Sequence, residues 1–290
     1  MMLTINNIFF IYKHIKVIIL IIVIMIYLKT YFYSEHEVPF LKLNLLEAYP
    51  HIDKFLICEF NFTHTGLKRE YIWEKVKDQL PQDKMDKVQY IKGDMSDIVK
   101  YAYNDGHTIH TINEPWMRGY FVKVVDLKDT DIIFSVDADE IIYGEMYPEL
   151  IKCVRTQGII RLPMNQFFYR VNYLWSDLTF RSSVGAVYMV YKYNFPAQWR
   201  DAGRDYSKKV GCHFSWCMTV DQMLHKMECY SHPEYRHLSK KEILEDAIEN
   251  KKYPFAPDRD FTLLTIDFDT DKRIPRKMLE YKTEFKHLIK

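Results

Sequence analysis

Residues 17–28 read VIILIIVIMIYL, twelve apolar residues without a break. A run of this kind belongs in lipid or in a protein core, because no polar face is left for water. As a helix it spans about 18 Å, short of the roughly 30 Å hydrocarbon thickness of a bilayer. Its flanks lengthen it: residues 8–12 are apolar, and Tyr31, Phe32 and Tyr33 form an aromatic edge downstream. Lys16 and Lys29 border the run and can snorkel. No small-residue cleavage site follows, which argues against a removed signal peptide. Lys13 and Lys16 place positive charge on the N-terminal side, which predicts a cytoplasmic N-terminus. The expectation is an N-terminal transmembrane helix, with residues 1–33 as cytoplasmic tail and membrane anchor. Residues 34–290 then form one body on the luminal or exoplasmic side, in a Golgi- or ER-like compartment if the cell is eukaryotic. The alternative is a buried Ile-rich strand or helix of the folded body.

The body reads as ordinary globular sequence. Lys and Arg number 40 against 39 Asp and Glu, a net charge of +1, which excludes a broad basic surface and with it non-specific nucleic-acid binding. Aromatic residues make up 16% of the chain, more than a core needs, and suit a ligand with stackable faces. Five cysteines (58, 153, 212, 217 and 229) allow one or two disulfides with at least one thiol left over. Strands are expected over residues 55–60, 88–91, 131–136, 159–164, 167–171 and 186–193. Helices are expected over 67–79, 113–127, 145–155, 217–230 and 239–251, the second opened by Asn113 as cap with Pro115 in its first turn and the last by a capping box from Ser239 to Glu242. Strands alternating with helices in the first half indicate an α/β sheet that is largely parallel, and the extra strands of the second half make it mixed.

The clearest strand, residues 131–136, runs directly into Asp137-Ala138-Asp139-Glu140. In open α/β sheets ligands sit beyond the carboxyl ends of the strands. Residues i and i+2 of an extended segment point the same way, so Asp137 and Asp139 can present two carboxylates together. Such hard oxygen ligands suit Mg²⁺ or Mn²⁺ held jointly with phosphate oxygens. Asp-x-Asp also occurs at 129/131, 258/260, 267/269 and 269/271, but without a strand leading into the pair these read as solvated turns or caps. Gly211-Cys-His213-Phe-Ser-Trp-Cys217, then Lys226, then Ser231-His232-Pro-Glu234 form a second cluster. Its cysteine spacing matches no usual zinc knuckle, whereas His213 has an imidazole able to complete a carboxylate metal site.

In order along the chain, Glu59-x-Asn61-x-Thr63-x-x-Gly66, Glu114-x-x-x-Arg118, Asp137-Ala-Asp139-Glu140-Ile141, Gly211-x-His213-x-Ser215-Trp-Cys217, Lys226 and His232-x-Glu234 resemble glycosyltransferase family 17 over residues 37–255. That family includes β-1,4-mannosyl-glycoprotein 4-β-N-acetylglucosaminyltransferase. Glu37 and Leu41 fit its opening segment, whereas Pro39 and Asn44 stand where acidic and basic residues are usual, and Cys212 replaces a usual Trp. The resemblance implies a Rossmann-like, GT-A-type nucleotide-sugar transferase domain with a mixed, mostly parallel sheet. It also implies an inverting enzyme of the single-pass type II class that moves N-acetylglucosamine from UDP-GlcNAc to a mannose-containing glycan or glycoprotein, in β-1,4 linkage.

On that reading a divalent metal, Mn²⁺ or Mg²⁺, is held by Asp137, Asp139 and His213 and offsets the charge of the leaving UDP. Glu59, Asn61, Glu114, Arg118, Lys226 and His232 are the expected donor-binding groups, with Glu114 and Arg118 alternatively a helical i, i+4 pair. Inversion needs a carboxylate base near the acceptor hydroxyl. Glu234 and Glu140 are the candidates, with Glu140 alternatively supporting the metal site. The competing function is a membrane-anchored, lectin-like glycan binder of the same fold without transfer.

Overall fold

The computed structural model describes residues 24–98, 109–192, 202–229, 232–256 and 258–290. Among them the strands are β1 (Ile26–Tyr31), β2 (Lys54–Phe60), β3 (Val88–Gly93), β4 (Ile132–Ser135), β5 (Glu140–Ile142), β6 (Ile159–Arg161), β7 (Met164–Phe168), β8 (Tyr173–Phe180), β9 (Val184–Val187), β10 (Arg204–Asp205), β11 (Gly211–Ser215) and β12 (Leu263–Thr265). The helices used below are α1 (Val38–Ala48), α2 (Trp73–Val76), α3 (Ile109–Gly119), α4 (Tyr147–Gln157), α5 (Val220–Cys229) and α6 (Lys241–Glu249). One sheet has the order β10-β6-β9-β4-β1-β2-β3, the other β12-β8-β7-β11-β5. The mixed α/β architecture expected from the sequence is what the chain adopts. Strands β4, β1, β2 and β3 are mutually parallel, β9 is antiparallel to β4 and β6, and in the second sheet only β11 and β7 pair in parallel.

The transmembrane helix is the expectation the structure overturns. Among the described residues no helix is long and apolar enough to cross a membrane. The C-terminal part of the apolar run is instead the central strand β1, paired with β2 on one side and β4 on the other, with Leu28 opposite both Phe55 and Phe134. Residues 17–23 of the run lie outside the described residues. The physical reason for the misreading is double burial. Leu28 packs with α1 and α4 on one face of the sheet, in a layer that includes Leu41, Leu45, Leu150 and Val154. Tyr27 and Tyr31 pack on the other face against Trp116, Met117 and Phe121. A parallel strand covered on both faces has no polar alternation and reads as a continuous apolar run. Lys29 does not snorkel to a membrane surface. It is fully buried, with its ammonium 5.0 Å from the Tyr31 ring centroid and 5.9 Å from that of Phe121. The folded body therefore takes in residues ahead of position 34.

The other local differences have similarly plain causes. The helix expected at 113 begins at Ile109, so Asn113 sits inside it and spends its amide on the His64 carbonyl at 2.9 Å rather than on a cap. Residues 67–79 yield only α2 and a single 3₁₀ turn, because the buried Glu59 takes the amides of Ile72 and Trp73 and starts the helix there. The N-cap of α6 is Lys240, with no side-chain cap. The strand expected over 186–193 is β9, which ends at Val187 and gives way to a helical turn, Tyr188–Tyr191. All five cysteines are free thiols, so the one or two disulfides that their number allows are not formed. The second sheet has its own two cores, one around Phe40, Phe167 and Phe214 and one around Phe168, Trp175 and Trp216 with α5 and α6. α1 contributes to both sheets, Leu41 and Leu45 to the first and Phe40 and Leu43 to the second, and so fixes them to each other.

Candidate functional site

The order β3-β2-β1-β4 reverses its direction of growth between β1 and β4, and such a switch point opens a crevice at the carboxyl ends of the strands. A cavity of about 450 Å³ lies there. Tyr31, Tyr33, Ser34, His36 and Glu37 line it from the end of β1, Thr63, His64 and Arg69 from beyond β2, and Asp137 and Asp139 from beyond β4. β11 and α5 close it with His213, Trp216, His225 and Lys226.

The acidic loop is held from three sides. Arg118 on α3 donates to both oxygens of Asp137, with Nη2 to Oδ2 at 2.8 Å, and the same guanidinium donates to Glu114 Oε1 at 2.8 Å. Burial works against the charge on Arg118, but Asp137, Tyr31 and Glu114 outweigh it and keep its pKa well above the ordinary arginine value. Asn44 on α1 donates to the Ala138 carbonyl at 2.9 Å, so the departure from the family's usual residue at that position is put to structural use. Glu140 is fully buried and accepts from the Asp137 amide at 2.8 Å and the Ser183 hydroxyl at 2.7 Å. It shapes the loop and does not line the cavity.

Asp139 is the acidic group that faces the cavity's cations. Its carboxylate lies 3.7 Å from His213 Nε2 and 3.9 Å from Lys226 Nζ. His213 is brought there by the pairing of β11 with β5, which sets it opposite Glu140. Gly211 permits that pairing, since a Cβ at this position would stand 2.1 Å from the Ile141 carbonyl oxygen. Gln166 Nε2 donates to the Phe167 carbonyl at 3.1 Å, which leaves Gln166 Oε1, 2.9 Å from His213 Nδ1, as an acceptor. In the neutral imidazole this puts the proton on Nδ1 and turns the Nε2 lone pair toward Asp139. A lone pair facing a carboxylate oxygen is completed by a proton or a cation.

Among the described residues no three His, Cys, Asp or Glu side chains converge as a metal cage. Asp137, expected as a ligand, has its carboxylate engaged by Arg118. The remaining pair, Asp139 and His213, fits a hard divalent ion of the kind that takes one or two protein ligands and completes its shell with phosphate oxygens and water.

The other expected residues divide clearly. Lys226 lines the cavity, 5.3 Å above the Trp216 ring, and Trp216 holds a left-handed backbone with φ 56°. Glu114 and His232 also line it, Glu114 as a partner of Arg118. Glu59 and Asn61 do not. Asn61 donates to Asp94 Oδ2 at 2.6 Å and accepts from the Met95 amide at 3.0 Å. Glu234 is exposed on the 3₁₀ turn Pro233–Leu238 and pairs with His232 Nδ1 at 2.7 Å. Of the tryptophans, Trp175 is buried in the second sheet's core, and Trp199 lies outside the described residues.

Glu59 is a structural keystone. It is fully buried and accepts from the Ile72 amide at 2.7 Å, the Trp73 amide at 3.2 Å, Arg69 at 2.9 Å and the Tyr90 hydroxyl at 2.7 Å. Arg69 in turn donates to the Tyr33 and Phe60 carbonyls at 2.6 Å each and ties the ends of β1 and β2 together. Glu59→Ala is expected to lower unfolding stability by about 3–5 kcal/mol, since it leaves the half-buried Arg69 charge without its carboxylate and three further donors without an acceptor. Urea unfolding checks this. A stable variant with lost nucleotide affinity would restore Glu59 to the binding site.

Sequence reasoning assigned no site role to the groups that follow β1 and β2, Glu37 having only a place in the family's opening segment. His36 and His64 are both held neutral by burial, with pKa values lowered to about 3 and about 4. Tyr33 bonds through its hydroxyl to His64 Nε2. Glu37 accepts from the backbone amides of Tyr33 at 2.6 Å and Ser34 at 3.1 Å. One signal was present: Tyr33-Ser-Glu-His-Glu37 is a polar segment directly after an apolar run, the same pattern that marked Asp137.

The sequence profile of glycosyltransferase family 17 matches residues 17–252. No curated protein matches the chain. Among solved structures, an active-site mutant of LgtC matches with 11% identity over 47% of this chain and 45% of that one, at a TM-score of 0.29. The galactosyltransferase LgtC in complex with donor and acceptor sugar analogs matches with 8% identity over 60% and 65%, at 0.33. Glucosyl-3-phosphoglycerate synthase from Mycobacterium tuberculosis, in complex with Mn²⁺, UDP and glucosyl-3-phosphoglycerate, matches with 11% identity over 88% and 91%, at 0.36. The chain spans less than two thirds of either LgtC structure.

Proposed function

Because the chain belongs to glycosyltransferase family 17, we propose that it moves N-acetylglucosamine from UDP-GlcNAc to a mannose-containing glycan, with inversion and in β-1,4 linkage. The observation that carries this reading is the cavity at the β1/β4 switch point, which joins the Asp137-Ala138-Asp139 loop to the cationic side chains of Lys68, Arg69 and Lys226. Its volume of about 450 Å³ is in the range of small-ligand sites. A nucleoside diphosphate is a compact polyanion, and a few local cations suffice to hold it on a chain of net charge +1.

Asp139 and His213 are the residues that would hold a divalent ion, Mn²⁺ or Mg²⁺. When bound, such an ion neutralises charge on the leaving diphosphate. Arg118 is committed to Asp137 and Glu114 and keeps the loop in shape. Lys226 and Arg69 offer charge-assisted hydrogen bonds to phosphate oxygens. Trp216, buried at the cavity wall, carries Lys226 5.3 Å over its ring and so positions that ammonium.

The test is a donor-by-acceptor panel on the purified full-length chain with Mn²⁺ or Mg²⁺, read by UDP release and product mass. The expected result is preferential turnover of UDP-GlcNAc and a gain of one N-acetylhexosamine on a mannose-bearing acceptor. Glycan binding without turnover of any nucleotide sugar would overturn transfer in favour of the lectin-like reading.

A further inference from the structure

The structure points to a catalytic role for a residue that the sequence placed only in the family's opening segment. Five carboxylates line the cavity: Glu37, Glu114, Asp137, Asp139 and Glu228. Glu114 and Asp137 are taken by Arg118. Asp139 faces His213 and Lys226. Glu228 is solvent-exposed at the end of α5. Glu140 and Glu234, the bases expected from sequence, are respectively buried behind the loop and exposed outside the cavity.

Glu37 differs from all of these. It is partly exposed on the cavity wall, and a single oxygen, Oε2, takes both backbone bonds from Tyr33 and Ser34. Oε1 accepts no hydrogen bond from any described residue. The carboxylate is thus locked in orientation by one oxygen and open at the other, which is the arrangement a proton acceptor requires. The charged groups that bear on it come from three elements: Lys226 on α5, Asp139 on the β4–β5 loop and Arg69 beyond β2.

We propose that Glu37 is the general base of the transfer. This rests on the function proposed above. The acceptor hydroxyl oxygen forms a bond to the anomeric carbon of the donor. The bond from that carbon to the β-phosphate oxygen breaks, and its electron pair leaves on UDP. The hydroxyl proton passes to Glu37 Oε1. Burial raises the pKa of Glu37 to about 8, against the opposing charge of Lys226, which makes it a stronger proton acceptor than an ordinary glutamate.

Glu37→Gln keeps the shape and the oxygen that receives the backbone amides. It is expected to lower kcat by about 10²–10³-fold, with the KM for donor and the UDP affinity changed by no more than about threefold. Glu37→Ala opens space, and added formate is expected to restore part of its rate while leaving Glu37→Gln unaffected. If Glu37 were only a cap on the turn after β1, Glu37→Ala would lose thermal stability while Glu37→Gln kept most of it, the folded fractions of both would turn over at near the wild-type rate, and formate would do nothing. That result overturns the proposal and leaves the transferase reading intact. A wild-type chain that transfers from no nucleotide sugar overturns both.

Discussion

A chain from which residues 1–33 have been removed is expected not to fold. Were those residues a membrane anchor, the same deletion would release a soluble, active domain. The structure makes β1 the strand on which the first sheet is assembled, in register with β2 from Tyr27 to Tyr31 and with β4 from Ile26 to Lys29. Tyr27, Leu28, Tyr31 and Phe32 are each at most 5% exposed. Burial of four large side chains contributes roughly 6–12 kcal/mol at about 1.5–3 kcal/mol each, comparable to the whole stability of a domain, about 5–15 kcal/mol. The deletion also strips β2 and β4 of their hydrogen-bonding partner and takes Tyr33 from the cavity. Circular dichroism and the soluble yield of the deleted and full-length chains check this. A folded deletion product would show that the sheet closes without β1.

Asp139→Asn is expected to lower the transfer rate by about 10²–10³-fold while shifting the unfolding midpoint by no more than about 4 °C. The two halves of this expectation come from one geometry. The Asp139 side chain is 15% exposed, and its ion pairs to His213 and Lys226 are 3.7 and 3.9 Å long. Pairs this loose contribute about 1 kcal/mol or less to stability. Its backbone carbonyl, which accepts from the Phe214 amide at 2.9 Å, is untouched by the substitution. The negative charge opposite the His213 lone pair is what is lost. Mn²⁺-dependent UDP binding, measured beside the rate, is expected to weaken in parallel. A wild-type rate would remove Asp139 from the site.

The two results bear on different kinds of information. The Asp137-Ala138-Asp139 loop was legible because everything that marks it is local: a strand, its end, and two carboxylates at i and i+2. Lys226 and His213 carried the resemblance to the family, and the fold brings both to Asp139 through the pairing of β11 with β5 and the packing of α5. The sequence alone did not separate Glu59 and Glu140 from ligand-facing carboxylates, because a buried carboxylate and a catalytic one are the same letter. What separates them is their partners, and those of Glu59 lie 10 to 31 residues away while Ser183 lies 43 residues from Glu140.

Periodicity and local pattern were enough for the α/β class and the acidic loop, since each depends on neighbours within a few residues, and the order of short motifs along the chain carried the resemblance to the family. The place of β1, and with it the roles of Glu37, His36, His64 and Arg69, depended on contacts across the sheet. An apolar run carries the same composition whether lipid or two protein layers cover it. Only the pairing of Ile26–Tyr31 with β2 and β4 decides for the protein core, and by doing so it sets Glu37 on the wall of the site.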